Sequence, residues 1–216
     1  SFMKQALILG GGSKWGATLT KTLSQQGYFV DLITSNGIID ANVQNHKVDW
    51  NTITISDCDR IIDNLEDKKY DIIFFNQNSG GGPNDIAYVP GGMNFPIEHW
   101  NRANWINSQI TYYFIRRLAN KIGTHTKIGW MLTGLIDGKD PEMWKYAGYA
   151  SVKSTNVHIM RGFAKYHHGI FFAIQPSWFP DEDFQKDANS ILNTIQGLSI
   201  KDTGSIFTKE GESWSL

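Results

Sequence analysis

Short runs of apolar residues recur along the chain. Between them, the apolar positions spread out at helical spacing. Residues 5–9, 28–34, 71–75, 127–131 and 170–174 read as buried strands, and 46–48 and 205–207 as shorter ones. The stretches 15–26, 57–66, 96–122, 146–166 and 184–195 read as helices. Gly27 stops the first, Ser56 or Asp57 caps the second, and the third is long enough for two helices in succession. Strands that are apolar throughout and alternate with helices predict a parallel sheet covered on both faces. With right-handed crossovers this becomes an α/β fold, a doubly wound parallel sheet of about seven strands in three layers. In such sheets a ligand binds beyond the carboxyl ends of the strands, at the point where the strand order reverses.

Composition narrows the class. The 216 residues suffice for one domain with a full core, and no repeat or long linker divides them. Ser1-Phe2 ahead of Met3 reads as the remnant of an expression tag, leaving 3–216 as a single domain. A net charge of −1 gives no reason to expect capture of nucleic acid or of an anionic membrane. No run approaches the ~18 apolar residues of a membrane helix. Cys58 is the only cysteine, so no internal disulfide can form. With no export signal in the sequence, the expected location is the cytoplasm.

The segments after the strands carry the candidate chemistry. After the first strand, Gly10-Gly11-Gly12-Ser13-Lys14-Trp15-Gly16 is a glycine turn opening a helix, a place for a pyrophosphate. After the second comes Thr34-Ser35-Asn36, with no acid to grip both ribose hydroxyls of NAD. Lys14 is in reach of the same place, which favours NADP, with NAD as the alternative. Asp49-Trp50 follows the third strand and could hold an adenine edge, or could be an ordinary turn. After the fourth comes Asn76-Gln77-Asn78-Ser79-Gly80. Asn107 is a polar residue among apolar neighbours in the long helical stretch. It is either a hydrogen-bonded structural Asn or one that opens the helix and holds a water. Thr133 ends the fifth strand. Tyr149 and Lys153 stand four residues apart on a helix and so share one face. A free phenol has a pKa of about 10. A neighbouring ammonium favours the phenolate, which makes the pair a candidate acid/base device. His167-His168 lacks an accompanying carboxylate or Cys cluster and reads as a solvated helix end.

As an ordered set, these residues resemble the short-chain dehydrogenase/reductase family in its single-domain form. The set is the glycine turn, Asp49, Gln77-Asn78-Ser79-Gly80, Asn107, Thr133, Tyr149-x-x-x-Lys153 and Pro176, and the resemblance spans Lys4 to about Gly211. It implies a Rossmann-type sheet and hydride transfer between a nicotinamide and a carbonyl or alcohol substrate. By position, Tyr149 is the acid/base, while Lys153 lowers its pKa and binds the nicotinamide ribose. Thr133 orients the substrate oxygen, and Asn107 holds a water of the proton relay. Gly10, Gly12, Ser13, Lys14, Trp15, Gly16, Ser35, Asp49, Trp50, Asn78, Gly80 and Pro176 border the cofactor. The resemblance also implies a homodimer or homotetramer, paired through the helices around 107–122 and 151–166.

The chain departs from the family pattern in four places. Lys14 stands at the middle glycine of the phosphate turn. Thr133 stands for the usual Ser. Pro176-Ser177 stands for Pro-Gly, and the substrate segment 177–200 is short. The altered turn motivates a second reading, a dinucleotide-binding sensor or scaffold that turns nothing over. The intact set Asn107, Thr133, Tyr149 and Lys153 favours the enzyme. Trp144, Tyr146 and Trp178 are either an apolar wall for a substrate or packing for a lid. The stretch 80–96 reads as a cover over the cofactor.

Overall fold

The computed structural model describes residues 3–11, 13–77, 97–176 and 181–216. Eight strands form one sheet: β1 (Lys4–Leu9), β2 (Tyr28–Thr34), β3 (Val43–Lys47), β4 (Tyr70–Phe75), β5 (Ile122–Met131), β6 (Ile170–Gln175), β7 (Ser205–Thr208) and β8 (Ser213–Trp214). Their order is β3-β2-β1-β4-β5-β6-β7-β8. All neighbours are parallel except β7 and β8. The α-helices are α1 (Lys14–Gln25), α2 (Ile55–Asp63), α3 (Ile97–Asn104), α4 (Ile110–Arg117), α5 (Met143–Tyr166) and α6 (Phe184–Gly197). Among the described residues, no helix is long and apolar enough to cross a membrane.

Period-two alternation along β1 sends its side chains to two separate cores. Leu7 and Leu9 meet Ile61 of α2, Ile110 and Phe114 of α4, and Val157 and Met160 of α5. Ala6 and Ile8 meet Leu19 and Leu23 of α1 and Ile191, Leu192 and Ile195 of α6. The three-layer α/β/α architecture therefore follows from strands that are apolar on both faces.

Several boundaries differ from the sequence reading, among them β3, which spans Val43–Lys47 in place of 46–48, and the helical stretch expected to reach 122, which ends at Arg117. β5 begins at Ile122, five residues before the expected start, because Ile122 pairs with Tyr70 and a register shift then carries the chain past Gly123 and His125 to the pairing of Lys127 with Ile72. α2 is capped by Thr54, not by Ser56 or Asp57. Thr54 and Asp57 form a reciprocal capping box that moves the helix start upstream. β8 adds a short antiparallel strand to the expected seven, at the edge opposite β3.

Asp31 lies inside the sheet layer, in the middle of β2. Its carboxylate accepts from Tyr70 Oη at 2.8 Å and pairs with Lys68 Nζ and His46 Nε2, each at 3.0 Å. Burial alone would raise its pKa. The hydrogen bonds from His46, Lys68 and Tyr70 and the Lys68 charge outweigh that and hold it below the usual carboxylate value. One acid thus joins β2, the edge strand β3, the turn before β4 and β4 itself.

Candidate active site

β1 ends at Leu9, and the chain turns at Gly10 with φ +85°. A Cβ at Gly10 would lie 2.6 Å from the backbone N and Cα of Gln77. Only glycine lets the exits of β1 and β4 approach this closely in this conformation. Asn76 closes the gap. Its backbone N–H donates to Leu9 O and its Nδ2 to Gly10 O, both at 2.9 Å. β1 and β4 are the neighbours at which the strand order reverses, so this is the switch point of the sheet.

Above it stands the N-terminus of α1. Ser13 caps the helix, its hydroxyl accepting from Gly16 N at 3.0 Å. A Cβ at Gly16 would lie 2.4 Å from Gly10 O, so this glycine lets α1 press onto the turn. The first turn of α1 carries no acid and opens with the exposed Lys14. A positive helix end over a close-packed turn suits an anionic pyrophosphate. The Trp15 side chain is buried edge-on against Phe184, with ring centroids 6.2 Å apart, and its backbone lies in the first turn of α1.

The carboxyl ends of β2 and β3 flank this helix start. Thr34 is buried and closes a tight turn with Asn36, while Ser35 is exposed. Asp49 is exposed, with one carboxylate oxygen accepting from Asn51 N at 2.9 Å. Trp50 packs against the core, and its carbonyl accepts from Arg102 of α3 at 2.8 Å. Ile53 O accepts from both Arg102 and Trp105, so the loop after β3 is fastened to α3.

On the other side of the switch point lie Tyr149 and Lys153, both on α5. Tyr149 is half-buried and Lys153 is buried. The Lys153 ammonium lies 5.9 Å from the Tyr149 ring centroid and donates to Gln77 O at 3.2 Å. Thr133 follows β5 and is half-buried, with its hydroxyl oxygen accepting from Leu135 N at 3.4 Å. That bond uses a lone pair and leaves the hydroxyl proton to donate elsewhere. The short helical turn Gly134–Asp137 after Thr133 packs on α5. Trp144, early in α5, is exposed, with Lys145 Nζ 5.4 Å from its ring centroid. Tyr146 is half-buried.

Asn107 sits in a π-turn, Trp105–Gln109, between α3 and α4. Its Nδ2 donates to Ala103 O at 2.9 Å, and its own carbonyl accepts from Asn156 Nδ2 at 2.8 Å. Ser108 Oγ donates to Val152 O at 2.8 Å. The π-turn is thereby docked on the turn of α5 that carries Lys153.

Glycine turn, Gln77 and Lys153 are therefore in direct contact, and Asn107 is joined to them through Ile106 and Asn156. Gln77 belongs to the set that carries the resemblance, but neither it nor Asn76 was given a role of its own, and both carry contacts at the switch point. Pro176 is buried directly after β6. Gly12, Asn78, Gly80, the stretch 80–96 and Trp178 lie outside the described residues. Cys58 is buried in the core, where burial and the nearby Asp57 and Asp59 push its thiol up to about 12, so it is no nucleophile at neutral pH. The His167 and His168 rings pack 4.2 Å apart, and His168 Nε2 bonds Ile122 O at 2.8 Å, tying the end of α5 to β5.

No family model and no curated protein matches the chain. Solved structures do. A short chain dehydrogenase family protein from Francisella tularensis subsp. tularensis SCHU S4 is 16% identical with a TM-score of 0.80, over 97% of this chain and 98% of its own. A carbonyl reductase from Pseudomonas aeruginosa PAO1 is 14% identical with a TM-score of 0.75, over 99% of this chain and 100% of its own. A short-chain dehydrogenase/reductase from Burkholderia multivorans with bound NADP is 14% identical with a TM-score of 0.74, over 98% and 99%. The chain thus has the Rossmann-type α/β fold of the short-chain dehydrogenases/reductases, over nearly its whole length.

Proposed function

We propose that the protein is a member of that family, a nicotinamide-dinucleotide oxidoreductase acting on a carbonyl or alcohol, with NADP preferred over NAD. The observation that carries this reading is a buried lysine one helical turn from a half-buried tyrosine, beside a glycine turn at the switch point. The residues present fit such a cofactor. Gly10 and Gly16 occupy positions where a Cβ would collide with backbone, and α1 presents its N-terminus there without an acid. A bound nicotinamide would supply or accept the hydride. Tyr149 would hold the proton exchanged with the substrate oxygen, and the Lys153 charge would favour its phenolate. Thr133 would donate a hydrogen bond to that oxygen as charge develops on it. Asp49 and Ser35 would line the adenosine end, and Gly12, Asn78, Gly80 and Pro176 would complete the crevice. Helices α4 and α5 share one sheet face, which supports self-association as a homodimer or homotetramer.

Titrating tryptophan fluorescence with NADPH and NADH tests the reading. Binding of at least one, followed by turnover on a panel of ketones and alcohols, is the expected result. Binding of neither would overturn it. The second reading, a silent dinucleotide sensor, is favoured by Lys14 at the middle-glycine position, and binding without turnover would select it.

Lys14→Ala is expected to weaken NADPH by about fivefold, ~1 kcal/mol for an exposed charge pair, with little change for NADH. Raising the salt should shrink the difference. Equal losses for the two cofactors would remove Lys14 from any contact with a 2′-phosphate.

A further inference from the structure

Around the π-turn, three backbone carbonyls are met by side-chain amides. Ala103 O accepts from Asn107 Nδ2, Ile106 O from Gln77 Nε2 at 3.1 Å, and Asn107 O from Asn156 Nδ2. These carbonyls fix the orientation of each amide, because a flip would set oxygen against oxygen. Two acceptors are left over, Gln77 Oε1 and Asn107 Oδ1. Both are sealed from solvent and have no hydrogen-bond donor among the described residues. Gln77 is only 3% exposed and Asn107 only 1%. A buried amide oxygen without a donor is costly, and buried waters are the usual remedy at such places.

Gln77 has a second part. Its backbone carbonyl accepts from Lys153 Nζ, while its side chain grips the π-turn through Ile106 O. We infer that Gln77 Oε1 holds a buried water, and that Gln77 is a positioning residue that fixes the Lys153 ammonium by anchoring its own carbonyl to the π-turn. The position of the charge beside Tyr149 is then set by β4 and the π-turn together, and not by α5 alone. Gln77 is not a catalytic residue, since it acts only through Lys153. The consequence for turnover rests on the oxidoreductase reading above. The water and the coupling of Gln77 to Lys153 do not.

Two measurements on the full chain test the inference without cofactor. A high-resolution crystal structure should show an ordered water in hydrogen-bond contact with Gln77 Oε1. A dry oxygen, or one bonded to a protein donor, would overturn the water. In Gln77→Met, which keeps length but loses the amide donor and acceptor, the ¹³Cε signal of Lys153 should titrate lower by at least about half a unit, since a loosened carbonyl favours the charged form less. An unchanged titration in a folded variant would reduce Gln77 to a structural residue. If Gln77→Met does not fold, Gln77→Asn, which shortens the reach to Ile106, carries the same comparison. A parent chain that binds no dinucleotide would sink the functional reading, yet both measurements would still decide this one.

Discussion

Tyr149→Phe is expected to slow hydride transfer by about 10²–10⁴-fold, the usual contribution of a positioned acid or base. That corresponds to about 2.7–5.4 kcal/mol on the barrier. The substitution removes one oxygen and keeps the ring, so packing along α5 should persist. Lys153 still donates to Gln77 O, and the glycine turn is untouched. Dinucleotide affinity should therefore stay near that of the parent. Single-turnover absorbance at the reduced-nicotinamide band measures the first quantity, and fluorescence titration the second. Retention of more than about a tenth of parental turnover would remove Tyr149 from the proton transfer.

The largest expected effect on stability is at Asp31. Asp31→Asn removes a buried charge and leaves Lys68 and His46 facing a neutral amide. Breaking a buried pair from one side costs about 3 kcal/mol or more. For a chain of this size that is a fall of roughly 6–12 °C in melting temperature. The pH dependence has a definite sign. The folded pKa of Asp31 lies below its ordinary value of 3.8, so its contribution is fully present above that value. It is lost as pH falls below 3.8 through the lower folded value. Asp31→Asn should therefore destabilise the protein at neutral pH and flatten the acid limb of its stability curve. Denaturant unfolding at pH 7 and near pH 3 checks both, and equal stability of parent and variant at pH 7 would sink the assignment.

What the sequence made legible follows from range. β1, β2, β4 and β6 are mostly apolar runs with few polar residues in each, a signal that needs no partner to be read. Tyr149 and Lys153 were visible because helical spacing alone puts them on one face. Asn107 stood out as a polar residue among apolar ones, and the helix does open there into a π-turn. β8 was missed because two residues carry no periodicity. The first half of β5 was missed because Gly123 and His125 lack strand character, and only its neighbour β4 draws it into the sheet. The roles of Asn76 and Gln77 could not be read, since they lie in contacts with Gly10, Ile106 and Lys153, all remote in sequence. Asp31 was hidden inside an apolar run, and His46, Lys68 and Tyr70 give no local hint of it.

The two borders of the sheet bear on how the molecule meets copies of itself. One border is β3, Val-Gln-Asn-His-Lys, and the other is β8, which is only two residues long. A polar border ending in lysine and a very short one are both poor templates for a strand from another chain. Edge-to-edge growth toward fibrils is thus discouraged at both ends, and any self-association would be left to the helical faces, where Tyr112 of α4 and Tyr166 of α5 are exposed.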